Sequence, residues 1–237
     1  VGQGVLTGRA AVRYGGRRAL SHPPVTMVGM SEATESETRA VGADPATPHD
    51  WRVFLEEYGQ WYLRERDGAD DLLDEDQAEA LDRGERIDLW LGAEPAREEA
   101  LAAAEERIGL RLPPSLRSFF LATDGWEYLD TWVDGVHPCD RVGWMRDGDD
   151  GRSVIEVYAS IAGNEEEVSL FRRSVEVAKG EDYWLLDPTD VGPDGEWAAY
   201  EFAPKYGNPT KYSDFSALFR SSCSDMEEDG DESENED

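Results

Sequence analysis

Cysteine, histidine and basic residues are scarce in this sequence of 237 residues, which has two cysteines, three histidines and 23 lysines plus arginines against 53 aspartates plus glutamates. Cys139 and Cys223 are too few and too far apart for a disulfide framework, so a reducing compartment, the cytoplasm, is expected. Only His137 and Cys139 place two soft ligands near each other, because His22 and His49 fall in or beside an arm expected to be disordered. Zinc needs three or four ligands, so no metal and no cofactor are expected. No apolar run approaches the length of a membrane span. Arg9, Arg13, Arg17 and Arg18 interrupt the apolar stretches near the start, so no signal-peptide core forms there, and a membrane partner is not expected.

What the sequence has in excess is negative charge, and it is unevenly distributed. Residues 1–49 carry a net +1, residues 50–223 a net −22, and residues 224–237 a net −9. A field of that sign repels nucleic acid and anionic lipid and steers a basic partner toward the surface. With hydrophobic residues at 39% before glycine is counted, a core is affordable despite the charge.

Residues 1–48 mix Gly, Arg, Ser, Thr and Pro without periodicity and are read as disordered; their Arg-bearing beginning is either a nucleic-acid or membrane arm or, the favoured reading, sequence upstream of a true start at Met27 or Met30. A domain is expected over 49–223, followed by a disordered acidic tail over 224–237. Thr47, Pro48 and Asp50 spell a helix start, and Trp51, Phe54, Leu55, Tyr58 and Tyr62 recur at helical spacing. Residues 67–86 are very acidic, with Leu72, Leu73 and Leu81 as anchors, and read as a short exposed helix or a connection. A second helix is expected from Pro95 to about Arg107, ended by Gly109 in a left-handed C-cap, and a third from Pro114 to Asp124-Gly125. Short β-rich runs follow at 140–146, 153–160, 168–178, 182–187 and 195–203, with turns at Lys179-Gly180 and Pro193-Asp194-Gly195. Ser213 is placed as the cap of a last helix bearing Phe215, Leu218 and Phe219.

The order and spacing of several pieces resemble the SUKH superfamily: Trp90-Leu91-Gly92, Pro95-Ala96, the run Ala104 to Gly109, Leu112-Pro113-Pro114, and Phe119 through Gly125-Trp126. Tyr183-Trp184-Leu185-Leu186-Asp187-Pro188, Asp194-Gly195-Glu196-Trp197 and the closing Tyr212, Phe215 and Leu218 continue it, so residues 50–220 are covered. Asp124 stands where Asn is often expected. The group includes fungal cell-wall-synthesis regulators of the Knr type, the bacterial Syd protein, and bacterial immunity proteins encoded beside polymorphic toxins. The resemblance implies an α+β fold, a mainly antiparallel β-meander sheet packed against several helices, and a non-enzymatic protein-binding role. The motif residues Trp90, Gly92, Gly109, Pro113, Pro114, Phe119, Gly125, Trp126, Trp184, Asp187, Pro188, Gly195, Trp197 and Phe215 are expected to be structural.

No catalytic constellation stands out. Asp147, Asp149, Asp150 and Gly151 resemble a fragment of a calcium loop, but Tyr158 occupies loop position twelve where a bidentate Glu belongs, so a β-turn is the better reading. Asp187, Asp190 and Asp194 read as turn chemistry among Pro188, Gly192, Pro193 and Gly195. The expected partner is a protein, a basic toxin domain. Asp130, Asp134, Asp140, Asp147, Asp149 and Asp150 would imitate a phosphate backbone in its cleft, and Trp132 would supply an aromatic contact. The alternative is a regulatory scaffold of the Knr type that recruits several partners.

Overall fold

In the computed structural model, residues 44–65, 69–129 and 132–223 are described; the expected disordered ends, apart from 44–48, and candidate Asp130 lie outside the described residues. The first helix, α1 (Pro48–Glu65), starts where the sequence places it. Thr47 and Asp50 cap it reciprocally: the Asp50 N–H donates to Thr47 Oγ1 at 3.1 Å and the Thr47 N–H to Asp50 Oδ2 at 3.0 Å. Its stripe of Trp51, Leu55 and Tyr58 is fully buried. A 3-10 turn (Ala69–Leu72) and a short helix α2 (Glu75–Asp82) follow, so the acidic stretch does hold an exposed helix.

Helix α3 (Glu98–Ile108) begins three residues later than Pro95. The reason is a competing partner: the Ala96 N–H donates to the Phe120 carbonyl at 2.8 Å and the Asp124 N–H to the Glu94 carbonyl at 3.1 Å. Residues 94–96 are thereby held extended along the end of α4 (Pro114–Ala122). Gly109 closes α3 at φ 74°, the left-handed cap expected of it. Pro113 has no N–H or side-chain oxygen with which to cap α4, and a distant carboxylate does so instead. Glu196 accepts from the Ser115 N–H at 2.7 Å and the Ser115 hydroxyl at 2.6 Å. Burial pushes the Glu196 carboxyl above its usual range, against the opposing effect of those Ser115 hydrogen bonds.

Two runs read as strand are helical. Residues 153–159 belong to α5 (Asp149–Ala159), with Ser160 as its C-cap, and 168–173 to α6 (Glu165–Arg173). Their Val, Ile, Tyr and Phe content suggests strand, but Ile155 and Tyr158, and Val168 and Phe171, are three apart and bury one helical face. The expected turn at Asp147–Gly151 is correspondingly a 3-10 turn (Met145–Asp147) running into α5, with Asp149 and Asp150 in its first turn. The last helix, α7 (Phe215–Ser222), is capped by Asp214 rather than Ser213, since Asp214 Oδ1 accepts from the Ala217 N–H at 2.9 Å.

Six described strands form one antiparallel sheet: β1 (Gly135–Val136), β2 (Gly143–Trp144), β3 (Val175–Lys179), β4 (Tyr183–Val191), β5 (Trp197–Phe202) and β6 (Thr210–Tyr212). β3 to β6 are a meander, while β1 and β2 both pair with β3. The fold is therefore α+β, with an antiparallel sheet as expected. The unbroken apolar run Tyr183–Leu186 reflects burial on both faces of β4. Trp184 and Leu186 join α1, α3, α4 and α7 in one core, whereas Tyr183 and Leu185 join α5 and α6 in another.

Several of the motif residues are packed into the fold. Trp126, Phe119, Trp184 and Phe215 are buried, and Trp197 nearly so. Gly92 has no room for a side chain, because a Cβ there would lie 2.4 Å from the Trp90 ring. Asp187 lies in β4 and, fully buried, pairs with Arg173 at 2.8 Å; it also accepts from the Thr189 N–H two residues on, the turn chemistry expected of it, and from the Thr189 hydroxyl. Pro188 falls where the β4–β5 register slips between Asp187 and Val191, a position at which a missing N–H costs no ladder bond. Pro193-Asp194-Gly195 forms the hairpin turn, with Gly195 at φ 87°. No described helix is long and apolar enough to cross a membrane.

Candidate functional site

Most of the acidic candidates fall along one edge of the sheet, because β1 and β2 pair end to end with the outer side of β3. The register places Gly135 opposite Lys179 and Gly143 opposite Glu176. The turn between them is pinned from two sides. Asp124 Oδ1 accepts from the Cys139 N–H at 2.7 Å, a bond that an Asn Oδ1 would make equally well. Arg107 donates to the carbonyls of Cys139, at 2.6 Å, and Val142, at 2.9 Å. Close backbone approach completes it: a Cβ on Gly135 would lie 2.2 Å from the Trp126 carbonyl oxygen.

Around this edge, Asp140 and Asp147 line one groove of about 310 Å³ together with Arg107, Arg141, Trp144 and Glu176. Asp134 is exposed directly before β1, next to Lys179 in the register, and Asp150 forms an ion pair with the same Lys179. That contact holds the Asp150 carboxyl below its usual range, through the hydrogen bond first and the charge second. Asp149 is paired with Arg152 and sits apart from the groove. Trp132 is half-buried, with the Lys205 ammonium 5.1 Å from its ring centroid. The edge is therefore of mixed sign: Arg141, Arg146 and Arg152 interleave with Asp140, Asp147, Asp149 and Asp150.

His137 and Cys139 do not make a ligand pair. His137 Nε2 lies 3.3 Å from Glu176 Oε1, while the Cys139 thiol is buried and pushed up to about 12, by burial first and by Asp124 second. A neutral thiol is neither a good nucleophile nor a good metal ligand. Among the described residues, no three His, Cys, Asp or Glu side chains converge as a metal site.

The region that sequence reasoning undervalued as a surface is the excursion from Ala69 to Leu91. Residues 69–88 hold nine carboxylates and two arginines. No residue of α2 is buried, and its N-terminus is closed by a capping box between Asp74 and Gln77. The excursion is fastened at its base: the buried Gln60 amide donates to the Ile87 carbonyl at 2.8 Å and accepts from the Ile87 N–H at 2.9 Å. Leu63, Ala69 and Ile87 form a small core beneath it, and Arg86 pairs with Glu57 of α1 at 2.9 Å. The acidic run was the available signal. Gln60, at an unremarkable helical position, gave none.

Comparison with known proteins bears on what such surfaces serve. No curated protein matches the chain. The model of the SMI1 / KNR4 family (SUKH-1) matches residues 95–221, more than half of the sequence. Proteins of that family are generally immunity proteins, which act by binding protein and are generally not catalysts. With this match spanning α3 to α7 and every strand of the sheet, the chain belongs to the SMI1 / KNR4 family (SUKH-1).

Proposed function

We propose that this chain is an immunity protein that binds the catalytic domain of a bacterial polymorphic toxin in the cytoplasm of the producing cell and blocks it. The supporting observation is the pairing of SUKH-1 membership with a net −22 over residues 50–223. A toxin that acts on nucleic acid presents a basic cleft, and an acidic domain is drawn to it by long-range attraction and held by close contacts. The functional unit is residues 49–223, and the sheet edge, through Asp134, Asp140 and Asp147, together with Trp132, supplies the contact surface. Asp149 and Asp150 contribute less, since each carboxylate is already answered by a cation of its own chain.

The test is co-expression with the carboxy-terminal domain of the neighbouring gene's product, using the parent chain and an Asp140→Asn/Asp147→Asn variant. Growth rescue by the parent and its loss in a variant that still folds support both the activity and the edge. A toxic neighbour against which the parent gives no protection sinks this reading and favours a multi-partner regulatory scaffold.

A further inference from the structure

The exposed face of α6 carries a charge pattern that changes sign about its middle. Glu165, Glu166, Ser169 and Arg172 are exposed and Arg173 is half-buried, so two carboxylates stand three and four residues before Ser169 and two guanidiniums three and four residues after it. At 3.6 residues per turn all five fall on one stripe of the helix. Arg173 is already engaged by the buried Asp187 and by the Ser169 hydroxyl, whereas neither Glu166 nor Arg172 is in an ion pair among the described residues. Beside the stripe lies a groove of about 460 Å³, lined by Tyr158, Ile161 and Val168 as well as by Glu165 and Arg172. Next to it two aliphatic side chains four residues apart are left in water, Val157 at 58% exposure and Ile161 at 51%. The helix dipole accounts for acids in the first turn of α6 and bases in its last, but not for the groove or for these aliphatic neighbours.

We propose that this face binds a second copy of the chain across a two-fold axis at Ser169. In a two-fold contact every pairing occurs twice, reciprocally. Two α6 helices packed antiparallel about Ser169 put Glu166 opposite the partner's Arg172 and Arg172 opposite the partner's Glu166. Glu165 meets the partner's Arg173 in the same way, the weaker pairing because Asp187 already answers that cation. Ser169 at the crossing is small enough for close approach, and the antiparallel arrangement brings Ile161 of each copy toward the Arg172 end of the other's groove. The pattern is its own complement, which is what selects a second copy: an unrelated partner requires no symmetry about Ser169. Since α6 spans about 14 Å, the contact belongs with the smaller specific interfaces, under about 1,200 Å² in total, and the dimer is a weak one. Net charge opposes it, at −22 for residues 50–223 of each copy. At physiological salt that repulsion is screened beyond about 8 Å, while pairs in contact persist. This inference goes beyond the immunity reading and does not depend on it.

The experiment is sedimentation equilibrium of the full chain in about 0.15 M NaCl, from about 5 µM to about 500 µM, the range suited to a contact of this size. The parent, Glu166→Arg, Arg172→Glu and an equimolar mixture of the two variants are compared. The parent is expected to associate to a dimer. Each variant alone sets like charges against each other twice across the axis and should dimerise at least about tenfold more weakly. In the mixed dimer the two altered residues face each other and so do the two native ones, which makes both pairings opposite in sign again. Association of the mixture should therefore return to the parent's strength. Because mixing alters neither chain's fold, this recovery separates pairing across the axis from a folding defect. A parent that stays monomeric, single variants that dimerise as tightly as the parent, or a mixture no stronger than its components overturns the proposal.

Discussion

The two acid-rich regions of this molecule, the excursion over 69–91 and the sheet edge over 134–152, differ in what their carboxylates do. The excursion has nine acids to two arginines over 69–88; four of the acids stand on α2, which has no buried residue, and Arg83 pairs with Glu79 and Glu85. Those of the edge are interleaved with arginines, and Asp149 and Asp150 are already in ion pairs. The excursion is therefore suited to attraction at a distance, where only net charge counts, and the edge to contact, where each group has a fixed place. A run of like letters in a sequence does not distinguish these two uses.

The comparison can be broken most severely at the edge. Gly151→Ala should cost about 3 kcal/mol, because the new Cβ would lie 2.0 Å from the Met145 carbonyl oxygen with backbone on both sides. Chemical denaturation checks the cost; a loss below about 1 kcal/mol would mean that the 3-10 turn and α5 separate easily. At the base of the excursion, Gln60→Ala should cost about 2 kcal/mol by leaving the Ile87 N–H without its acceptor and the Ile87 carbonyl with the Leu89 N–H alone. Hydrogen exchange should speed up at Ile87 and along 69–91 while β3 to β5 keep their protection. Equal acceleration throughout would show that the excursion is not a separate unit.

Smaller effects should appear in association with a toxin domain identified by rescue. Neutralising Glu75, Asp76, Glu79 and Asp82 to their amides should slow association about tenfold at low ionic strength and leave dissociation unchanged, as stopped-flow mixing would read. An equal change in the dissociation rate would move the excursion from steering to direct contact. The least effect, under about twofold in affinity, belongs to Asp149→Asn/Asp150→Asn, since both carboxylates already have partners. A loss comparable to that of Asp140→Asn/Asp147→Asn would show that those ion pairs open on binding.

Much of the architecture was legible wherever local chemistry decides it. Thr47-Pro48 with Asp50, Gly109, Pro114 and the Lys179-Gly180 turn each mark a boundary through backbone requirements that few other residues meet. Helices α5 and α6 were misread because β-branched and aromatic residues outweighed a better cue. Glu165, Glu166 and Glu167 open α6 and Arg172 and Arg173 close it, the arrangement that a helix dipole favours. At the candidate site the acids were visible and their pairing was not. That Lys179 meets Asp150 depends on how α5 lies against β3, which no spacing of residues records.

The two ends of the described domain meet in its core. The Ser216 hydroxyl donates to the Pro45 carbonyl at 2.7 Å, Arg220 lies 3.0 Å from Asp44, and the Trp51 ring packs edge-on against Phe219. The first described helix thus waits for the last described one, some 170 residues later. At ribosomal rates of about 5–20 residues per second, that interval is roughly 10–30 s, during which Trp51, Leu55 and Tyr58 have no finished core to enter. The apolar face of α1 is therefore completed only when the segment that carries α7 is available to pack on it.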